Sequence, residues 1–227
     1  MSSAQGQPVF WLHIKKSAGQ SVRAALGDAY QETNRSRPSV FLALPRTEWN
    51  DNLNNYRVPL GDYDYRRMLF AKRFLFDSEA TFERTFKFAV VRNPYARAVS
   101  CWRYLYSRHP RLWRRARTYL SFEYFLRSLP EIWETRSNRH IATHTAPIWP
   151  DITDESGQVL LDYTARLEQL DRDFSEIASR VGLATRRLPH RNHRGGGADY
   201  RRRYTRKTRA LVEELYGQDI ERLGYDF

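Results

Sequence analysis

Cysteine and long apolar runs are both scarce in this sequence. Its 227 residues include one cysteine, Cys101, so no disulfide can form within the chain, which is typical of a reducing compartment. No apolar run approaches the roughly 18 residues that a membrane-spanning helix needs. The first residues, MSSAQGQ, show neither the charged nor the apolar segment of a signal peptide. We therefore expect a cytoplasmic protein with no membrane span.

Acidic residues are outnumbered, with 26 Asp and Glu against 38 Lys and Arg, which leaves a formal net charge of +12. Such a charge favours an anionic partner, which could be a nucleic acid, a nucleotide, an anionic sugar or a membrane surface. Five arginines lie in RHPRLWRRAR (108–117), which is either a solvated helix face or a ligand-binding surface. A nucleic-acid-binding module is one alternative, although no helix-turn-helix, zinc or RNP signature is present. No Cys/His cluster with zinc spacing is present either, so we expect no metal site.

Composition and pattern predict an α/β fold. Hydrophobic residues make up 41% and charged residues 28%, as in globular proteins. No repeat or linker interrupts the chain, so we expect one domain spanning 1–227. Alternating strands and helices indicate a central parallel sheet flanked by helices on both faces. We predict strands at 8–14, 39–44, 67–74, 86–91 and 158–163, and helices at 21–30, from 92 onward, at 121–129, at 168–180 and near the end of the chain.

The segment HIKKSAGQS (13–21) joins the first predicted strand to the first predicted helix. In parallel α/β sheets, ligands bind where the carboxyl ends of strands enter helices. A helix N-terminus binds phosphate through its backbone N–H groups, Gly19 allows a close approach of the backbone, and Lys16 adds a full positive charge. The alternative is an ordinary turn with solvated lysines. The glycine frame of a Walker A motif is missing, which disfavours a nucleotide kinase with a degenerate P-loop.

A second basic segment, FAVVRNPYARAVS (88–100), follows the same plan. Arg92 comes at the end of a buried strand, Asn93 is a good helix N-cap, and Ser100 lies two turns into the helix. Arginine can grip a phosphate with two hydrogen bonds, and the Ser100 hydroxyl could complete a small phosphate site. The alternative places Arg92 in a structural ion pair and Ser100 in solvent. We expect Arg97 at the surface or in an ion pair.

Together these segments resemble the sulfotransferase superfamily, in particular its carbohydrate sulfotransferase (family 2) branch. The 5′-phosphosulfate loop of that family, H-I-P-K-T-A-G-T-S, reads HIKKSAGQS here, with Lys15 for proline and Gln20 for threonine. Its 3′-phosphate segment, F-x-x-V-R-D-P-Y-x-R-x-x-S, reads FAVVRNPYARAVS, with Asn93 for aspartate. SNRHIATHTAPI (137–148) is similar to the H-x-x-P-Q region, with His144 for glutamine, and DIERLGYDF (219–227) is similar to the family's C-terminal pattern.

The resemblance implies a P-loop-like fold and the sulfuryl donor 3′-phosphoadenosine-5′-phosphosulfate (PAPS). It implies a carbohydrate or other small-molecule acceptor, either neutral or anionic, and no nucleic-acid partner. Lys16 would contact the phosphosulfate bridge and stabilise the leaving nucleotide, while Arg92 and Ser100 would hold the 3′-phosphate. The residues that would hold the 5′-phosphate, largely through backbone N–H groups, are Ser17, Ala18, Gly19, Gln20 and Ser21.

A hydroxyl acceptor also requires a general base. Some relatives carry a histidine just before the strand of the 3′-phosphate segment, but the corresponding stretch here, LFAKRFLF (69–76), has none. Lys72 and Arg73 in that stretch would instead bind an anionic acceptor or a donor phosphate. His140 is the first candidate for the base and His144 the second, although either could be structural. Three carboxylates are further candidates for the general base, namely Asp62, Asp64 and Glu79.

Overall fold

The computed structural model describes residues 9–26, 53, 60–76, 78–108, 121–183, 188 and 199–227. The chain divides into two compact units, one formed by Met1–Val91 with Pro150–Asn192 and the other by Arg92–Trp149 with His193–Phe227. The predicted strand 39–44, most of the loop 45–66 and nearly all of the arginine cluster 108–117 lie outside the described residues.

The first unit contains a three-stranded parallel sheet with the strand order β1–β2–β3. Strand β1 is Val9–Leu12, β2 is Phe86–Val91 and β3 is Tyr163–Arg166. Every residue of β1 and β2 is buried, as expected for parallel strands that are covered on both faces. The register pairs Leu12 with Ala89 and Val91 with Arg166. The strand predicted at 86–91 is confirmed at both ends.

The α-helices of the described part follow in chain order. They are α1 (residues 19–26), α2 (Arg67–Phe74), α3 (Glu79–Arg84), α4 (Pro94–Arg108), α5 (Phe122–Thr135), α6 (Arg139–Thr145), α7 (Trp149–Ile152), α8 (Leu170–Val181) and α9 (Arg206–Arg222). This confirms helices predicted after 92, at 121–129, at 168–180 and near the end of the chain. None of these helices is both long and apolar enough to cross a membrane.

Helices cover both faces of the sheet. On one face, Trp11 and Phe88 pack in a buried cluster with Val22 of α1 and Phe174 of α8. The other face is covered through aromatic contacts that begin at Phe10, whose ring lies 5.5 Å from the ring of Phe76. Phe76 in turn contacts Phe82 of α3 at 5.1 Å between ring centroids. The α/β class predicted from the sequence, with a parallel sheet between helices, is confirmed.

Two predicted strands were wrong in type or position. Residues 67–74 form helix α2, because RMLFAKRF lacks β-branched residues and consists mostly of strong helix formers. The strand predicted at 158–163 lies further along, at Tyr163–Arg166, and Val159 forms only an isolated antiparallel bridge with Thr153. Strand β3 is only partly buried, and its sequence YTAR lacks the apolar run that predicted a strand at the preceding residues.

The second unit packs α4, α5 and α9 around a shared apolar core that includes Leu105, Leu126 and Val212. Asp219 of α9 is fully buried, and its carboxylate accepts hydrogen bonds from the backbone N–H groups of Ile148 and Trp149. These bonds satisfy donors at the start of α7 that have no partner inside the helix. A single buried carboxylate therefore anchors the segment that follows α6.

Candidate functional site

Residues 13–18 form a short loop between β1 and α1. The backbone is left-handed at Lys16 (φ 67°) and Ala18 (φ 55°), but not at Ser17 between them. Alternation of this kind turns successive backbone N–H groups toward the same side, which makes a concave site for an anion. The N–H groups of Ser21 and Val22 both donate to the Ala18 carbonyl, which closes the first turn of α1.

Several donors of this loop have no partner within the described residues. The backbone N–H groups of Ser17, Ala18 and Gly19 donate to no other described residue. The Ser17 hydroxyl is buried and also makes no hydrogen bond. Buried polar groups without partners are rare in proteins and call for an explanation. A phosphate with several acceptor oxygens would satisfy these donors, so the loop fits the 5′-phosphate that the resemblance to the family implies there.

His13 supports the loop from beneath. Its ring stacks on the Trp11 indole with 4.9 Å between centroids, and its Nδ1 lies 3.3 Å from Lys15 Nζ. A Cβ atom added to Gly19 would come within 1.8 Å of His13 Nε2. Gly19 is therefore required because it leaves room for this ring. Its φ is not positive, so a left-handed backbone is not the reason for glycine at this position.

Lys15 replaces the proline of the family loop, and it is buried. Because an ammonium group only donates, the contact with His13 makes Nδ1 the acceptor and leaves the imidazole proton on Nε2. The contact also directs the Lys15 amine toward the ring beneath the loop. Of the two loop lysines, Lys16 is the less buried, as the role assigned to it requires.

The second basic segment begins where β2 ends. Asn93 caps α4, with its Oδ1 accepting from the N–H groups of Tyr95 (3.0 Å) and Ala96 (3.3 Å). Because these N–H groups are already used, a phosphate at this point would rely on the side chains of Arg92 and Ser100, both of which are partly exposed. The predicted N-cap is confirmed.

The structure explains why asparagine can replace the family aspartate at position 93. Asn93 Nδ2 donates to the Asp226 carbonyl at 2.8 Å, a bond that an aspartate could not form. The same side chain thus caps α4 and holds the chain near residue 226. The substitution leaves the cap itself intact.

The sequence analysis offered two placements for Arg97, at the surface or in an ion pair, and the surface placement is wrong. Arg97 is buried, and its Nη2 donates to the carbonyls of His144 (3.2 Å) and Ala146 (2.8 Å). The last carbonyls of a helix have no partner inside the helix, so a buried arginine can satisfy them. Arg97 therefore fixes the end of α6.

Helix α6 carries both histidines that the sequence proposed as bases. His140 is exposed and His144 is buried, and their rings lie 4.5 Å apart. His144 Nδ1 lies 2.8 Å from the His140 carbonyl; because a carbonyl only accepts, this nitrogen carries the proton. The Tyr104 ring stacks on His144 at 4.8 Å. Of the two imidazoles, His140 is the more accessible to an acceptor.

The end of α6 is held by further hydrogen bonds. The Thr145 carbonyl accepts from the Tyr216 hydroxyl at 2.7 Å, and Trp133 Nε1 donates to Thr145 Oγ1 at 3.0 Å. Burial raises the pKa of Tyr216, so its hydroxyl stays protonated and continues to donate. Cys101 Sγ donates to the His144 carbonyl, as a buried structural thiol does. These contacts fix the C-terminal end of α6, the helix that carries His140 in its first turn.

The remaining candidates are placed as follows. Asp62 is exposed, whereas Asp64 is buried and accepts from the Leu60 N–H at 3.0 Å. Glu79 is exposed, and its Oε1 lies 3.6 Å from Lys72 Nζ. The residues bound by Arg73 are Glu155, in an ion pair, and Tyr63, whose hydroxyl lies 2.6 Å from Nη1.

One residue that contacts the loop was missed by the sequence analysis. Arg67 donates through Nη1 to the His13 carbonyl at 3.2 Å and pairs with the buried Asp151. Arg67 and Asp151 are 84 residues apart, so no local spacing indicates that they meet. Arg67 also lies in the stretch predicted as a strand.

We predict that Gly19→Ala lowers the free energy of unfolding by about 1–3 kcal/mol, because the new methyl must displace the His13 ring. Urea denaturation of Gly19→Ala, His13→Ala and the double variant would measure this. The double variant should lose less than the sum of the two single losses, since removal of the ring makes room for the methyl. Gly217→Ala is the control, because a Cβ at Gly217 meets nothing within 4 Å. Additive losses would contradict the steric explanation.

The comparisons with known proteins agree with the motifs. A family model described as "Sulfotransferase family" matches residues 3–226. No curated protein and no solved structure matches the chain. The matched range includes the loop after β1, the Arg92 segment and helix α6. The chain therefore belongs to the sulfotransferase family, whose members are transferases that move a sulfuryl group.

Proposed function

We propose that this protein transfers a sulfuryl group from PAPS to a hydroxyl of a carbohydrate or glycosylated small molecule, with residues 1–227 acting as one catalytic domain. The observation that carries the proposal is the set of unused donors after β1, which includes the buried Ser17 hydroxyl. A sulfotransferase needs a place for the 5′-phosphate of its donor, and this loop has the chemistry for one.

The loop would hold the 5′ end of the donor. Its binding groups are the backbone N–H groups of residues 17–19, the Ser17 hydroxyl, and the side chains of Gln20 and Ser21 at the start of α1. Lys16 is partly exposed and adds the full charge that the backbone lacks. Hydrogen bonds to a charged phosphate are stronger than neutral ones, so a few such donors suffice for binding.

Arg92 and Ser100 would hold the 3′-phosphate. The capped N-terminus of α4 supports a role for side chains rather than backbone N–H groups at this point. The planar guanidinium of Arg92 can form two parallel bonds with a phosphate, which Lys could not form in the same geometry.

When bound, the donor supplies an activated sulfur whose bond to the 5′-phosphate oxygen breaks as a bond to the acceptor oxygen forms. Lys16 would stabilise the negative charge that develops on the leaving phosphate oxygen. His140 would accept the proton of the acceptor hydroxyl. The exposure of His140 and the rigid attachment of α6 support this role.

The function is tested by incubation of the protein with radiolabelled PAPS and a panel of neutral and acidic sugars. Binding of the product, adenosine 3′,5′-bisphosphate, is measured in parallel by calorimetry. We expect labelled acceptor and saturable binding. A protein that binds no bisphosphate at millimolar concentration, or that hydrolyses ATP with Mg²⁺ instead, would contradict the proposal.

Lys16→Ala should reduce kcat by about 10²–10³, because one preorganised charge is lost at the leaving oxygen. The melting temperature should stay close to that of the wild type, since Lys16 is partly exposed. Arg23→Ala, on the exposed side of α1, is the charge-matched control and should keep full turnover. Unchanged kcat in Lys16→Ala would remove Lys16 from the mechanism.

Arg92→Ala should weaken binding of the 3′,5′-bisphosphate by about 2–3 kcal/mol, the value of a lost charged hydrogen-bond pair. Affinity for adenosine 5′-monophosphate, which lacks the 3′-phosphate, should change little. Calorimetry with both nucleotides measures the ratio of the two affinities. Arg103→Ala, at an exposed position of the same helix, should leave that ratio at the wild-type value. An equal loss for both nucleotides in Arg92→Ala would place Arg92 elsewhere.

His140→Ala should lower kcat by about 10²–10⁴, the usual contribution of a general base, without weakening bisphosphate binding. His144→Gln restores the family residue and should retain most of the turnover. Steady-state kinetics of both variants distinguish the two imidazoles. If His144→Gln lost activity while His140→Ala kept it, the base would be His144.

A further inference from the structure

Arg67 is a buried cation at the start of α2. The side chains of Arg67 and Asp151 are each only 3% exposed. Asp151 lies in α7 and accepts from the Arg67 backbone N–H at 2.8 Å and from Nε at 2.8 and 3.1 Å. Nη2 completes the pair. With its backbone, Nε and Nη2 all held by one carboxylate, the guanidinium has a fixed plane and direction.

The fixed guanidinium directs Nη1 to the His13 carbonyl, 3.2 Å away. Strand β1 ends at Leu12, so His13 lies just beyond the paired part of the strand. Its carbonyl receives from Arg67, its ring stacks on Trp11, and its Nδ1 receives from Lys15. His13 is therefore held at its backbone and on its ring.

The backbone that follows His13 depends on this support. Left-handed conformations at Lys16 and Ala18 are strained for residues other than glycine, and such strain persists only where the surroundings hold it. We propose that Arg67, oriented by Asp151, is a positioning residue that fixes the start of the loop and so aligns the N–H groups of residues 17–19 for the 5′-phosphate. This inference rests on the function proposed above.

Stability alone is a weak explanation for the pair. Replacement of a buried ion pair by apolar residues of similar volume is often neutral or stabilising, because desolvation cancels most of the attraction. What a neutral pair cannot reproduce is the hydrogen bond to the His13 carbonyl. The double variant Arg67→Met/Asp151→Asn therefore separates the two roles, since it removes both charges and the donor to His13 but keeps a side-chain oxygen for the backbone N–H of residue 67.

A matched control exists in the same unit. Lys87 of β2 is buried, pairs with Asp162 at 2.9 Å, and donates to the carbonyls of Phe82 and Thr85. It has the same sign and similar burial, but none of these contacts is to the loop. Lys87→Met should lower the melting temperature without an effect on the loop.

The test uses the full chain with two readouts. Calorimetry gives the affinity for adenosine 3′,5′-bisphosphate and for the 5′-monophosphate, and amide hydrogen exchange gives the rate of opening of the peptide 13–21. In Arg67→Met/Asp151→Asn we expect a melting temperature near wild type, affinities lower by about tenfold for both nucleotides, and loop exchange faster by about tenfold. Equal loss for both nucleotides separates this effect from that of Arg92→Ala.

A double variant that folds and keeps wild-type affinity and loop exchange would overturn the inference. If the double variant does not fold, Arg67→Lys replaces it and is compared with Lys87→Met. Each variant is then measured at the same number of degrees below its own melting temperature. Faster loop exchange in Arg67→Lys alone supports the inference, and equal exchange in both overturns it. If the wild type binds no bisphosphate, the proposed function fails, and the exchange measurement still decides whether Arg67 positions the loop.

Discussion

The packing of the His13 ring against the backbone of Gly19 is the contact on which the loop depends. Only glycine can occupy position 19, because the His13 ring fills the space where a Cβ atom would lie. The ring fills the space beneath the turn, and the chain must pass over it within a few residues to begin α1. In this turn the backbone is left-handed on either side of Ser17, at Lys16 and Ala18. A turn built in this way presents its N–H groups outward, where an anion can bind them.

The departures from the family motifs are accompanied by compensating contacts. Lys15, in place of proline, donates to His13, and Asn93, in place of aspartate, both caps α4 and bonds the Asp226 carbonyl. His144, in place of glutamine, bonds the backbone of its own helix and stacks on Tyr104. A residue-by-residue comparison with the family motifs would count these three positions only as mismatches. The contacts show that each of the three substituted side chains has specific partners in this structure.

Part of the positive charge does not lie on the solvated surface. Arg67, Lys87 and Arg97 are all buried, and each is neutralised by a carboxylate or solvated by backbone carbonyls. Buried cations of this kind need several fixed acceptors, because desolvation is costly without them. They therefore rigidify the segments that they join: the loop start, the middle strand and the end of α6. Net charge by itself could not distinguish these residues from those that face solvent.

Short stretches of the sequence by themselves determined some of the secondary structure and the family of this protein. The buried run FKFAVV and the Asn93 cap depend on a few neighbouring residues, and the sequence alone predicted both correctly. The two basic segments were enough to assign the chain to its family. The stretch 67–74 was predicted wrongly, because a short apolar run has no period that separates a strand from a buried helix. Only the tertiary structure decided that Arg67 meets Asp151 and His13, that Gly19 makes room for a ring, and that Arg97 is buried. Each of these contacts joins residues whose separation along the chain leaves no periodic trace, and each depends on how elements pack rather than on what any one of them prefers.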